Sequence, residues 1–235
     1  MNRNLTGKIQ TVLGPIEPEL LGVTLTHEHL LVDLNVAHGH PDTASAIEFY
    51  QKPVSMETVG RIRHHGASNQ DNAQLFDVPT AIDEVTLYKQ NGGISLVDAT
   101  SIGIARDHLG LSRISQATGV NIIMGASYYV ADSHPTDMDT WTEEDITAQI
   151  LMDVTEGVDG TDIRSGVIGE IGCSWPLANN ERKVLRASAQ AQRMTGAPLL
   201  IHPGRDEMSP LEIIEVLSEA RSEEHTSELQ SRTNL

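Results

Sequence analysis

Val23-Thr-Leu-Thr-His27-Glu-His29-Leu-Leu-Val32 sets two histidines inside a run of apolar and β-branched residues, and it reads as a buried strand. Side chains alternate along a strand, so a spacing of two puts both imidazoles on one face and turns Glu28 to the other. Two neutral imidazoles one strand repeat apart can chelate a divalent ion, and imidazole suits zinc and its neighbours. The same spacing also suits a pair of hydrogen-bonded core histidines. His38-Gly39-His40 repeats the spacing among Gly, Pro, Asp and Thr with no apolar strand around it, and reads as a loop.

Working outward, residues 94–99, 121–126, 166–171 and 198–202 are further short apolar runs that read as buried strands. Helical periodicity fills the intervals. A helix over 79–90 carries Asp83 and Glu84 early, a second over 106–118 stops at Gly119, and a third spans 141–158. The third opens on Thr142 followed three residues later by Asp145, a capping arrangement, and Gly157 and Gly160 end it. A fourth covers 180–195 and stops at Gly196, and 211–220 reads as a fifth. Strands alternating with helices imply parallel pairing. An open doubly wound sheet usually has a Gly-rich phosphate loop after its first strand, and none follows 23–32, so the α/β class expected is a barrel. Residues 35–78 are too long and polar for an ordinary βα turn. They read as an elaborated loop on the face where barrel chemistry gathers, a candidate lid or substrate wall.

Composition narrows the partners. Lys and Arg number 16 against 33 Asp and Glu, a formal net charge of −17, which repels phosphate backbones and argues against nucleic acid. No stretch approaches the roughly 20 apolar residues of a membrane helix, and the N-terminus lacks the apolar centre of a signal peptide. A single cysteine, Cys173, excludes an intrachain disulfide. The expectation is a cytoplasmic protein with a small-molecule substrate and no membrane partner; a homo-oligomer is compatible with these features.

Two further segments place ligand-type residues at apolar strands. In Val167-Ile-Gly-Glu170-Ile-Gly172 a buried carboxylate needs a cation or a basic side chain. In Leu199-Leu-Ile-His202-Pro-Gly204 a histidine ends a strand, as a ligand or a structural residue. Strand ends converge on one face of a barrel, which favours a common centre. Tyr128 and Tyr129 follow the third strand, as pocket lining or packing. Arg205 suits an anionic substrate group or a surface ion pair. Cys173 reads as a small packed side chain.

Gly7-Lys-Ile-Gln-Thr-Val-Leu-Gly14, Leu25-Thr-His-Glu-His-Leu30, Ile168-Gly-Glu-Ile-Gly-Cys-Ser-Trp-Pro-Leu177 and Ile201-His-Pro-Gly-Arg205 resemble segments of the phosphotriesterase-related proteins of the amidohydrolase superfamily, in order and with matching intervals over about residues 7–220. The resemblance implies a TIM (β/α)8 barrel of the metal-dependent hydrolase type holding two divalent ions, with zinc the implied metal. His27 and His29 would bind the more buried ion, Glu170 would bridge, and His202 would bind the second. A bridging hydroxide would then attack an ester, lactone, amide or phosphoester bond. Glutamate in place of a carboxylated lysine marks the related branch and argues against efficient organophosphate hydrolysis. Tyr129 and Arg205, from the reading of the residues themselves, are the substrate-binding candidates.

The family pattern also calls for a histidine on strand six and a general-base aspartate on strand eight, and neither is present. Residues 221–231 resemble the translation of a sequencing adapter. Residues 1–220 are therefore expected to form a barrel truncated after about five βα units, and 221–235 an artefactual, disordered tail whose His225 is no ligand. Two open sheet edges would make such a chain poorly soluble or partly folded. Two other readings compete. One is a catalytically inactive fragment or non-enzymatic remnant of the fold. The other is a TatD-like metal nuclease, disfavoured by Leu25 where an acidic residue is expected and by the net charge.

Overall fold

The computed structural model describes residues 6–37 and 41–232. A hairpin of β1 (Ile9–Thr11) and β2 (Gly14–Ile16) precedes β3 (Thr24–Glu28) and the short β4 (Val32–Asp33). Helices α1 (Ala44–Tyr50) and α2 (Val59–His64) and strand β5 (Gln74–Leu75) come next. A regular alternation then follows: α3 (Val78–Gln90), β6 (Ser95–Asp98), α4 (His108–Thr118), β7 (Asn121–Ala126), α5 (Glu143–Thr155), β8 (Val167–Gly172), α6 (Asn179–Thr195), β9 (Leu199–His202) and α7 (Ser209–Arg232).

The central sheet has the order β3-β6-β7-β8-β9, and every neighbouring pair is parallel. It curls into five strands' worth of a (β/α)8 barrel, the architecture expected from the alternation. Local chemistry explains the helix ends. Thr142 Oγ1 accepts the Asp145 N–H while Asp145 accepts the Thr142 N–H, closing the capping box at α5. Gly119 and Gly196 take left-handed conformations, φ 67° and 76°, that terminate α4 and α6 without the penalty a Cβ would bring.

The outer face of the sheet is packed by helices. Leu96, Ile122 and Met124 meet Val85, Leu111 and Ile114 from α3 and α4. Ile168 and Ile171 meet Ile146, Ile150, Val184 and Leu185 from α5 and α6, with Ile213 and Val216 of α7 behind. The N-terminal half of the inner face is lined by Thr24, Thr26, Val97, Ile123, Val167 and Leu200 around a hollow of about 430 Å³.

The segment read as one strand over 23–32 is divided. β3 stops at Glu28, and Val32 and Asp33 leave the barrel sheet to pair antiparallel with Leu75 and Gln74 of β5. The long stretch after it is more than a loop, since it contains α1, α2 and β5 and is tied internally by Asn69, whose amide donates to the Phe49 and Lys52 carbonyls. His38, Gly39 and His40 lie outside the described residues. At the other end, helical backbone runs to Arg232 through the segment expected to be disordered, and neither glycine nor proline occurs after Pro210 to interrupt it.

Arg106 and Asp153 form a buried ion pair, Nη1 to Oδ2 2.7 Å, joining the turn after β6 to α5. Arg106 also donates to the Gly125 carbonyl at 3.1 Å and Gln149 donates to Asp153 Oδ1 at 3.0 Å. Removing one partner of such a pair leaves a desolvated charge, so Asp153→Ala is expected to cost about 3–5 kcal/mol, read as a fall in urea stability.

Candidate metal centre

Strict alternation alone would not assemble the centre. Ile168 belongs to the outer face of β8, so uninterrupted alternation would send Glu170 outward with it. The register against β9 slips by one residue between Ile168 and Ile171, as at a β-bulge, and this re-aims Glu170 toward the barrel axis. Gly169 sits in the slip with φ 132°, and a Cβ there would collide with the Leu200 carbonyl oxygen. A matching slip between Leu25 and Glu28 in β3 turns His27 inward after Thr24 and Thr26.

The result gathers four of the sequence-predicted ligands. His27 Nε2 lies 3.1 Å from Glu170 Oε2, His29 Nε2 lies 3.3 Å from Oε1, and His202 Nδ1 lies 3.0 Å from Oε2. Candidate ligand atoms of His27, His29 and Glu170 fall within 4.8 Å of one another. His202 reaches the same carboxylate from β9 without joining that trio. Tyr129 follows it, its hydroxyl 3.5 Å from His202 Nε2 and its ring edge-on to the imidazole.

Burial opposes ionisation of Glu170, whose side chain is 2% exposed, yet hydrogen bonds from His202 and His29 hold its pKa down to about 2. Burial likewise lowers the basicity of His29, but the hydrogen bond and charge of Glu170 outweigh it and leave the imidazole raised. Three imidazole nitrogens aimed at one carboxylate need a proton or a cation at each contact, and this N,N,O donor set fits a zinc-type ion.

Sequence reasoning missed the support behind His29. Its Nδ1 lies 3.0 Å from Thr100 Oγ1. Asp98, fully buried at the end of β6, accepts the Leu30 N–H at 2.8 Å and the Thr100 N–H at 3.1 Å. Burial pushes the Asp98 pKa up despite those bonds. The available signal was the argument applied to Glu170, a carboxylate within an apolar strand. Of the weaker candidates, Tyr128 is core, edge-on to Trp141, while burial pushes the Tyr129 hydroxyl to about 12, aided by Glu170 and opposed by Arg205. Arg205 is exposed. Cys173 is packed out of water, and burial pushes its thiol to about 12.

Residues 7–225 match the phosphotriesterase family. The chain belongs to that family. N-acetyltaurine hydrolase of Homo sapiens is 44% identical over 218 residues, 92% of this chain and 62% of the relative. A phosphotriesterase-related protein of Nematostella vectensis is equally similar over the same shares. Among solved structures, a resiniferatoxin-binding protein from Rhodobacter sphaeroides superposes with TM-score 0.86 at 39% identity, covering 92% of this chain and 60% of that one. The chain thus spans somewhat less than two thirds of the length of these phosphotriesterase-family relatives.

The depressed Glu170 value sets a pH dependence for the metal-free chain. The folded value of about 2 lies below the ordinary 4.5, so the ionised carboxylate stabilises the fold above about pH 4.5 and that contribution is lost as pH falls toward 2. Urea midpoints measured across this window are expected to fall less steeply for Glu170→Gln than for the parent chain.

Proposed function

We propose that this chain carries the metal-binding strands of a hydrolase that cleaves amide bonds in small N-acyl compounds bearing an anionic group. The observation that carries the reading is the 44% identity to N-acetyltaurine hydrolase over 92% of the chain. The histidine-carboxylate cluster supports it. In this reading His27, His29 and Glu170 would hold one divalent ion, and Glu170 with His202 a second. Zinc held there would lower the pKa of a bound water toward about 7 and would polarise the scissile carbonyl.

The chain's own groups then orient the substrate. Tyr129, held at about 12, stays protonated at neutral pH and can donate a hydrogen bond beside His202. Arg205 follows β9 three residues after His202, and in this reading its guanidinium would meet an anionic tail of the substrate. The further histidine and aspartate implied by the family resemblance are not among the described residues, so the assay compares this chain with a version extended to the relatives' length.

Zinc-loaded protein is expected to hydrolyse N-acetyltaurine and N-acetyl amino acids in preference to lactones and phosphotriesters. Arg205→Ala is expected to raise KM for N-acetyltaurine about tenfold or more, leaving kcat and a neutral N-acyl analogue little changed. Faster turnover of lactones or phosphotriesters would overturn the reading. A second reading, ligand binding without turnover, is favoured by the similarity to the resiniferatoxin-binding protein of Rhodobacter sphaeroides. Ligand retention by a zinc-loaded, extended chain that cleaves none of these compounds would favour it.

A further inference from the structure

We propose that Glu181 is a positioning residue for the His202 side of the centre. It lies near the start of α6, fully buried, and its carboxylate accepts four hydrogen bonds from neutral donors. The Ala131 N–H donates to Oε1 at 3.0 Å. The Ser174 N–H, the Ser174 hydroxyl and the Ala178 N–H donate to Oε2 at 2.9, 2.7 and 3.0 Å. A helix cap alone would need only the last of these.

The other donors belong to two different loops, one after β7 and one after β8. Ala131 is two residues beyond Tyr129. Ser174 follows Cys173, whose N–H donates to the His202 carbonyl at 2.9 Å. Glu181 therefore ties together the segments that carry the Tyr129 hydroxyl and the His202 main chain, whose side chains meet at 3.5 Å. His134 braces the same point from the far side, its Nε2 donating to the Tyr129 carbonyl at 2.8 Å. None of these bonds reaches β3 or the Asp98 to Thr100 turn, which support His27 and His29. The bonds of Glu181 thus act on the His202 side, while the turn after β6 meets the Tyr129 segment only further along, through the Tyr129 N–H to the Ile102 carbonyl at 3.3 Å.

Glu181→Gln keeps the volume and turns one acceptor into a donor facing an N–H, which breaks the tie without opening a cavity. In the metal-free chain labelled with ¹⁵N, the imidazole signals of His202 are expected to move while those of His27 and His29 hold. Thr100→Val is expected to do the reverse, moving His29 and sparing His202. If Glu181→Gln does not fold, Ser174→Ala removes one hydroxyl donor to the same carboxylate and is expected to give the same selectivity. Joint movement of all three histidines, or none, would overturn the proposal.

A zinc titration adds an arm that rests on the hydrolase reading. Glu181→Gln is expected to weaken the second ion about 10–100-fold and leave the first unchanged. A parent chain that binds no second ion, while His202 still moves alone in the metal-free spectra, would sink the two-ion reading and leave the positioning role standing.

Discussion

Glu170 keeps its charge where water reaches almost none of it, and a buried charge without partners costs more than any single packing contact can offset. The partners are three histidines that come from the two edge strands of the sheet, His27 and His29 at β3 and His202 on β9. Strands at opposite edges of a flat sheet could not touch one side chain. The contact exists because the sheet curls, and the curl is held from outside by two apolar layers, α3 and α4 against β6 and β7, and α5 to α7 against β7 and β8. Packing energy on the convex face thereby supplies the electrostatic solution on the concave one.

The fold was legible because its signals are local and repeated. The barrel strands are four to six residues long and lie in runs rich in apolar and β-branched residues, helical patterning fills the intervals, and the stops at Gly119 and Gly196 use the left-handed conformation that glycine tolerates best. The candidate ligands were legible for a related reason: His27, His29, Glu170 and His202 are polar residues in or ending runs that are otherwise apolar. Their facing was not. Alternation correctly pairs His27 with His29, but the slips before His27 and at Gly169 decide that they and Glu170 point inward. A bulge depends on what lies across the strand pair, and no property of Ile168-Gly-Glu170 alone reveals that Leu199 and Ile201 will be matched two for three.

The supporting shell was illegible for a stronger reason. Asp98 and Thr100 act on His29 from about seventy positions away, and Glu181 reaches Ala131 across fifty. Each is an ordinary residue type in its local setting, Asp98 at a strand end and Glu181 near the start of a helix, where acidic residues are common for local reasons. Only topology turns them into supports. The stretch between β4 and β5 illustrates the same limit in reverse, since its polarity suggested a loop while its own internal bonds, such as those of Asn69, fold it into helices.

The electrostatics of the centre also explain why it suits a metal. Glu170 depressed and His29 raised are two views of one arrangement, in which the proton on His29 stabilises a carboxylate that cannot reach water. A divalent cation does the same job with more charge and through the imidazole lone pairs, so its arrival must displace that proton. Proton and metal therefore compete for one set of atoms, and the competition is balanced by geometry rather than by new side chains. Thr100 at His29 Nδ1 and Tyr129 at His202 Nε2 leave the opposite nitrogen of each ring facing Glu170. Those contacts hold the rings in an orientation that would suit ligation, which would lower the ordering cost of binding an ion.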